Sequence, residues 1–528
     1  MRPKFTFAFF LLLAISSILI YAQEEQDTAG IPAEDSNTVY VIREVEFDIT
    51  GRTKPFVLIS NGEFKEGERI YGKENFDKYL ALKTQLLLNQ RVLETVSIEY
   101  SLGEKEPDSA LPVKLLVHVK DTFNIVILPY PKYDSNDGFS LIIKMRDYNF
   151  LGTMSALRID LGYNNNNGSN TFNLGIDSDI PFQAAGLDWN INFDNFFKYS
   201  IGDPLYYQNV TGISVRLPIN FTTLTTGINQ YLTVNEENSS DNKYLFGLPA
   251  RYDGAYAATE IFGSWRVPLG ISVGNFGELS YTPGLSGTIK YPYGKMDPSR
   301  KPETTLSHSI GFGRIDWIGN YRKGLTASMG NSFTWYFDIP DAPLRITLDG
   351  SAIFHWRFSK YFGFSSRLKY RQWWRWSDVN DEWLPQYSAG DVIRGVIDAD
   401  IRANYMLSLN LDFPIRFLRF WPSEWFNKSK LRIFNFEMYL SPFLDFALFK
   451  GPYSKLKNSS NPNDGATSFR FKDLIATTGL EVIVFPGFFR SFYLRASIAY
   501  NMRIVAPAPK WGFFPQWSEI FIGVDHFY

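Results

Sequence analysis

The chain has 528 residues with 53 Lys and Arg against 55 Asp and Glu, a formal charge of −2, and no cysteine. A near-neutral balance argues against nucleic-acid binding, which calls for a basic excess or patch, and the lack of cysteine excludes disulfides, thiolate metal sites and cysteine nucleophiles. The four histidines, His118, His308, His355 and His526, show no metal-ligand spacing, so neither a metal nor another cofactor is expected.

Arg2 and Lys4 precede an apolar run from Phe5 to Tyr21, and Ala22 stands before the polar switch Gln23-Glu24-Glu25. This is the layout of a secretory signal peptide over residues 1–22, cut after Ala22. A retained inner-membrane anchor is the alternative, although the acidic residues that follow give no stop-transfer signal. No other window reaches the ~18 apolar residues of a helical span. Residues 23–37 are polar and acidic with little to bury, and read as a linker.

Residues 38–122 read as a compact α+β module. Val39 to Ile49 alternates, with Val39, Val41, Arg43, Val45 and Phe47 on one side, as in a half-buried strand. From Lys73 to Asn89, Phe76, Tyr79, Leu80 and Leu87 recur at mostly helical spacing, and Val96–Leu102 and Pro112–Asp121 alternate again.

Residues 123–528 change texture. Segments of roughly ten alternating residues are separated by clusters of Asn, Asp, Gly and Pro. In "ALRIDLGY", Ala156, Arg158, Asp160 and Gly162 face one way while Leu157, Ile159, Leu161 and Tyr163 face the other. One apolar face and one polar face suit a wall between lipid and a watery lumen. A soluble sandwich alternates similarly, but export and an aromatic content of 17% weigh against it. The length leaves room for about sixteen antiparallel strands, closed so that no strand edge is left unpaired in lipid. The fold class is therefore mainly β: a transmembrane antiparallel barrel of about 16 strands behind one small α+β domain. The terminal "EIFIGVDHFY" ends on aromatic Tyr528, as suits a closing strand.

Several stretches carry a resemblance. Residues 39–121 look like a single POTRA domain, and "YDSNDGFSLIIKMRDYNFLGTMSALRIDLGY" is similar to a first barrel hairpin with Asn149-Phe150-Leu151-Gly152 at its turn. Ile393-Arg394-Gly395-Val396 resembles a Val-Arg-Gly-Phe/Tyr motif. "LNLDFPIRF", "SPFLDFALFKG" and "GLEVIVFPGF" follow it in order. Together these resemble the BamA/TamA/FhaC superfamily of outer-membrane proteins. Two positions depart from that pattern: Val396 replaces an aromatic residue, and Ala447 stands where glycine follows the aspartate.

The resemblance implies that the loop tip folds back into the barrel and that Arg394 meets Asp445, with Asp412 nearby. A guanidinium fork suits such a grip because it can hold carboxylates in bidentate fashion, and Gly395 would let the backbone turn tightly. It also implies a seam that opens sideways, expected between Gly138–Asp147 and Ser518–Tyr528, with Gly138, Ser140, Gly523 and Tyr528 as its residues. The function implied is assembly or translocation of other proteins at the bacterial outer membrane. The partners implied are outer-membrane lipid, nascent outer-membrane or secreted proteins and periplasmic accessory proteins, with the POTRA domain in the periplasm. A passive channel or structural barrel, or a secretion pore for one partner, is the alternative. Catalysis is not expected: Gly270-Ile271-Ser272-Val273-Gly274 matches Gly-x-Ser-x-Gly, but it lies within the alternating part of the chain and not at a strand-to-helix elbow.

Two further stretches stand out. "RQWWRWSDVNDEWLPQY" (Arg371–Tyr387) reads as an interface belt of tryptophans. "IRFLRFWPSEWFNKSKLR" (Ile415–Arg432) is long for a periplasmic turn and reads as an amphipathic segment along the headgroups.

Overall fold

The computed structural model describes residues 38–524 apart from 108, 135–137, 167–168, 202–204, 235–254, 294–302, 338–343, 376–386, 389–391, 397–400, 404, 452, 455–466, 472–473 and 503–517. The expected signal peptide and linker, Trp376, Trp383, His526 and Tyr528 lie outside the described residues.

The N-terminal module runs β1 (Val39–Thr50), α1 (Pro55–Gly62), β2 (Arg69–Tyr71), α2 (Lys73–Asn89), β3 (Leu93–Leu102) and β4 (Leu111–Asp121). Its sheet has the order β2-β1-β4-β3, with β1 and β4 parallel. Period-2 alternation turns Val113, Leu115, Val117 and Val119 of β4 inward, where each is 3% exposed or less. Opposite them, Phe76, Tyr79 and Leu87 on one face of α2 complete the core. Each such side chain stabilises the fold by about 1.5–3 kcal/mol. The alternation expected along β1 is broken by a bulge between Ile42 and Glu44. Tyr40 and Ile42 are buried before it and Val45, Phe47 and Ile49 turn to the core after it, so Arg43 is exposed and pairs with Glu106 instead. A one-residue slip of this kind exchanges the two faces of a strand.

The rest of the chain closes into an antiparallel barrel of twenty strand segments. Tyr405–Asp412 and Ile415–Phe420 share one position along Phe436–Gly451, and Thr467–Ser468 and Ile475–Pro486 share the position on its other side. Twenty segments therefore make eighteen wall positions among the described residues, one hairpin more than about sixteen. The extra hairpin fits because several turns use only two residues. Ala184 pairs with Leu187, Ile219 with Thr222 and Ile318 with Tyr321. Ala185, Gly186, Asn220 and Gly319 supply the positive φ that such turns need.

Outward positions form continuous apolar rows. Ile213, Ile228 and Ile261 oppose one another across three strands, as do Tyr281, Ile310 and Met329 across another three, and all six are exposed. A band of this extent is covered by lipid rather than water; the barrel is a transmembrane one. Inward positions are polar: Arg146 pairs with Asp160 at 2.6 Å, and Asn229 donates to Glu260 at 2.9 Å.

The module packs against the end of the barrel where those short turns lie. Asn89 donates to Asp316 at 2.9 Å and accepts from the Trp317 N–H, while the Arg91 guanidinium lies 4.1 Å from the Trp317 ring centroid. The turn after Gly138–Asp147 grips the module from another side. Asn149, fully buried, donates to Thr53 at 2.8 Å and to Asp121 at 3.1 Å.

Candidate functional site

The segment Val392–Val396 enters the lumen from the end opposite the module, and Val392, Ile393, Arg394 and Val396 are all at most 3% exposed. What receives it is set by strand alternation. Along Tyr405–Asp412 the inward set is Met406, Ser408, Asn410 and Asp412; along Phe436–Gly451 it includes Phe443, Asp445 and Ala447; along Ile475–Pro486 it includes Thr477 and Glu481. In register, Asp445 lies between Asn410 and Thr477. Three acidic side chains thus face one another inside the wall.

Arg394 meets this cluster. Its Nε donates to Asp445 Oδ2 at 2.9 Å and Nη2 to Asp445 Oδ1 at 2.8 Å, a bidentate fork. Its Nη1 donates to Asp412 Oδ1 at 2.8 Å, and its backbone N–H adds a bond to Asp445 Oδ2 at 3.0 Å. The guanidinium lies 3.6 Å from the Phe443 ring centroid, a cation–π contact on its open face. Gly395 has φ +81°, and a Cβ there would sit 3.2 Å from the Ala499 Cβ, so the tip turns against the wall where only glycine is unstrained.

Arginine is one of three holds on the loop. Asn410 Nδ2 donates to the Val392 carbonyl at 2.9 Å, and buried Arg367 donates to Asn410 Oδ1 at 3.1 Å. Val392, Ile393 and Val396 also pack into one apolar cluster with Met406, Ala447, Phe449 and Ile475. Val396 and Ala447, the two departures from the family pattern, both lie in that cluster.

Sequence reasoning missed Glu481, Arg495, Arg367 and Asn410. Arg495 Nη1 donates to Glu481 Oε2 at 2.8 Å, and Arg394 Nη1 lies 4.0 Å from the same oxygen. Three basic side chains, Arg367, Arg394 and Arg495, thus stand among three acidic ones, Asp412, Asp445 and Glu481. The signal was present as Glu481 among apolar neighbours in "GLEVIVFPGF" and Arg495 in "YLRASIAY", each at the polar phase of its strand. The site can hold a loop; a group of three or more residues fit to hold a metal does not occur among the described residues.

The expected seam requires correction. Ser518–Val524 pairs with Ile125–Asp134, through Phe521–Asp134 and Ile522–Tyr133. Gly138 and Ser140 belong to the second strand, opposite Asp134 and Lys132. The first strand, Ile125–Asp134, carries Pro129 and Pro131, and proline is tolerated on an edge strand, which is what a first strand is before closure. Gly523 sits on the closing strand, where a Cβ would lie 2.5 Å from the Phe521 ring, and that ring lies 4.2 Å from the Arg495 guanidinium. Among the described residues the seam has two residue pairings, against seven on the other side of Ser518–Val524 and ten on the other side of Ile125–Asp134.

No family model matches the chain, and no curated protein matches it. Among solved structures, it is similar to BamA from Haemophilus ducreyi lacking POTRA domains 1–3, at 14% identity over 91% of this chain and 84% of that one, with a TM-score of 0.37. It is similar to CdiB from Acinetobacter baumannii at 12% identity over 92% of this chain and 74% of that one, with a TM-score of 0.47. It is also similar to CdiB from Escherichia coli at 9% identity over 97% and 96% of the two chains, with a TM-score of 0.39.

Proposed function

We propose that this chain is an outer-membrane protein of the BamA/TamA/FhaC superfamily that assembles or translocates other proteins through a laterally opening seam. The observation that carries this reading is the seam between Phe521–Ile522 and Tyr133–Asp134, which has two residue pairings among the described residues. Parting these two strands frees edges that then template an incoming strand, as exposed edges do in β-augmentation. The clamp on Arg394 supports it by holding the loop against Asp412 and Asp445 while the wall beside it moves.

In this reading the α+β module is a POTRA domain on the periplasmic side. β3, an edge strand of its sheet, offers a surface for substrate or partner strands. No covalent chemistry is required.

The rival is a passive barrel, which gains nothing from a seam that parts. The two are separated by locking it. The chain has no cysteine, so Tyr133→Cys with Ile522→Cys, directly opposed in register, introduces the only pair. Oxidation should stop assembly of outer-membrane or secreted proteins in cells depleted of the unmodified chain, and reductant should restore it. Unchanged assembly with the lock verified by gel mobility favours the passive barrel.

A further inference from the structure

The turn between Ile415–Phe420 and Phe436–Gly451 is out of proportion to the two-residue turns at the same end of the barrel. It contains a short helix, Pro422–Trp425, and a 3-10 turn, Ser429–Phe434. The loop is built in advance: buried Asn435 accepts from the Ser423 N–H at 3.2 Å and donates to Ser423 Oγ at 2.6 Å, and its carbonyl accepts from Gly487 at 2.7 Å. Yet this held conformation keeps Trp425, Phe426, Ile433 and Phe434 between 56% and 64% exposed. Apolar side chains fixed in this way are covered by something.

Strand register identifies the cover. Glu437 and Tyr439 are buried on the inward face, so Phe436 points outward, and its cross-strand partner is Phe420. The two rings lie 5.2 Å apart, and Trp425 packs edge-on against Phe420 at 5.0 Å. Exposed Phe417 belongs to the same strand. The rings of the turn therefore continue the lipid-facing band to its edge. Lys428 and Lys430, both exposed, stand in the chain between Phe426 and Ile433. Apolar rings at acyl depth beside ammonium groups at headgroup depth are the arrangement of an in-plane interfacial segment that prefers anionic lipid.

We infer that Trp421–Phe434 is an interfacial anchor that binds anionic phospholipid headgroups of the leaflet on the module's side, through Lys428 and Lys430. The inference needs only a membrane-spanning barrel and stands whether or not the seam opens. By tying Arg432 to Glu94 of the module at 2.5 Å, the same turn would set the module's position relative to the membrane surface.

The test uses the full chain in nanodiscs of phosphatidylcholine alone or mixed with phosphatidylglycerol, with hydrogen exchange followed over Trp421–Phe434. Exchange should be severalfold slower with phosphatidylglycerol. Lys428→Gln with Lys430→Gln should erase that difference while the barrel's strands keep their protection. Trp425→Ser with Phe426→Ser should speed exchange in both lipids. Equal rates in the two lipids and in detergent overturn the inference and leave a protein as the cover; so does a lipid difference that survives loss of both lysines.

Discussion

Replacing Arg394 by alanine removes three of the four hydrogen bonds that bind it to the acidic pair, leaving only the backbone bond to Asp445. Asp445 is fully buried and the Asp412 side chain is 13% exposed, so neither recovers the lost partner from bulk water. Breaking a buried pair from one side costs about 3–5 kcal/mol, because the stranded charge keeps its desolvation penalty. Since about 1.4 kcal/mol is tenfold, opening of the loop should become more frequent by over a hundredfold. Arg394→Lys keeps the charge but not the fork, and should recover only part of this. The apolar contacts of Val392, Ile393 and Val396 remain, so the loop loosens while the barrel stays closed. The assay is hydrogen exchange of the Val392–Val396 amides in the folded protein, with heat-modifiable gel mobility as the check on the barrel. Loss of protection worth less than about 1 kcal/mol would refute the reasoning, because it would place Asp445 and Asp412 in contact with water once the arginine is gone.

Two further outcomes follow from the geometry. Gly395→Ala should destabilise the docked loop by about 1–3 kcal/mol, since φ +81° strains any residue with a Cβ; unchanged protection of Val392–Val396 would show that the turn tolerates a side chain. In the module, the hydrogen bond that the His118 ring donates to the Asp48 carboxylate holds the His118 pKa above the ordinary histidine value, with Glu99 adding to it. The stabilisation is therefore complete below the unfolded-state pKa and is lost as pH rises through the folded one. An NMR titration should show the raised value, and Asp48→Asn should lower it.

Period-2 patterning was sufficient for the barrel, because lipid on one side and water on the other leave a different imprint on alternate residues, as Ile213, Ile228 and Ile261 show on the outer face. The helix Lys73–Asn89 was legible to its ends for the corresponding reason: Phe76, Tyr79 and Leu87 mark one face at helical spacing. The pairing of an arginine loop with Asp412 and Asp445 could be carried over only from resemblance, since chain distance says nothing about which wall positions face each other. Other features needed tertiary structure. Glu481 and Arg495 acquire meaning only when register sets them beside Arg394 and Phe521. The first strand, Ile125–Asp134, needed closure to be seen, since the resemblance placed the seam one strand later, at Gly138–Asp147. The strand count depended on turns of two residues, too short to stand out between alternating segments. Sequence determines which face of a strand meets lipid because that choice is local to each residue. Which strands meet, and therefore where three carboxylates converge and where the wall closes on itself, is decided by closure, a property of the whole sheet.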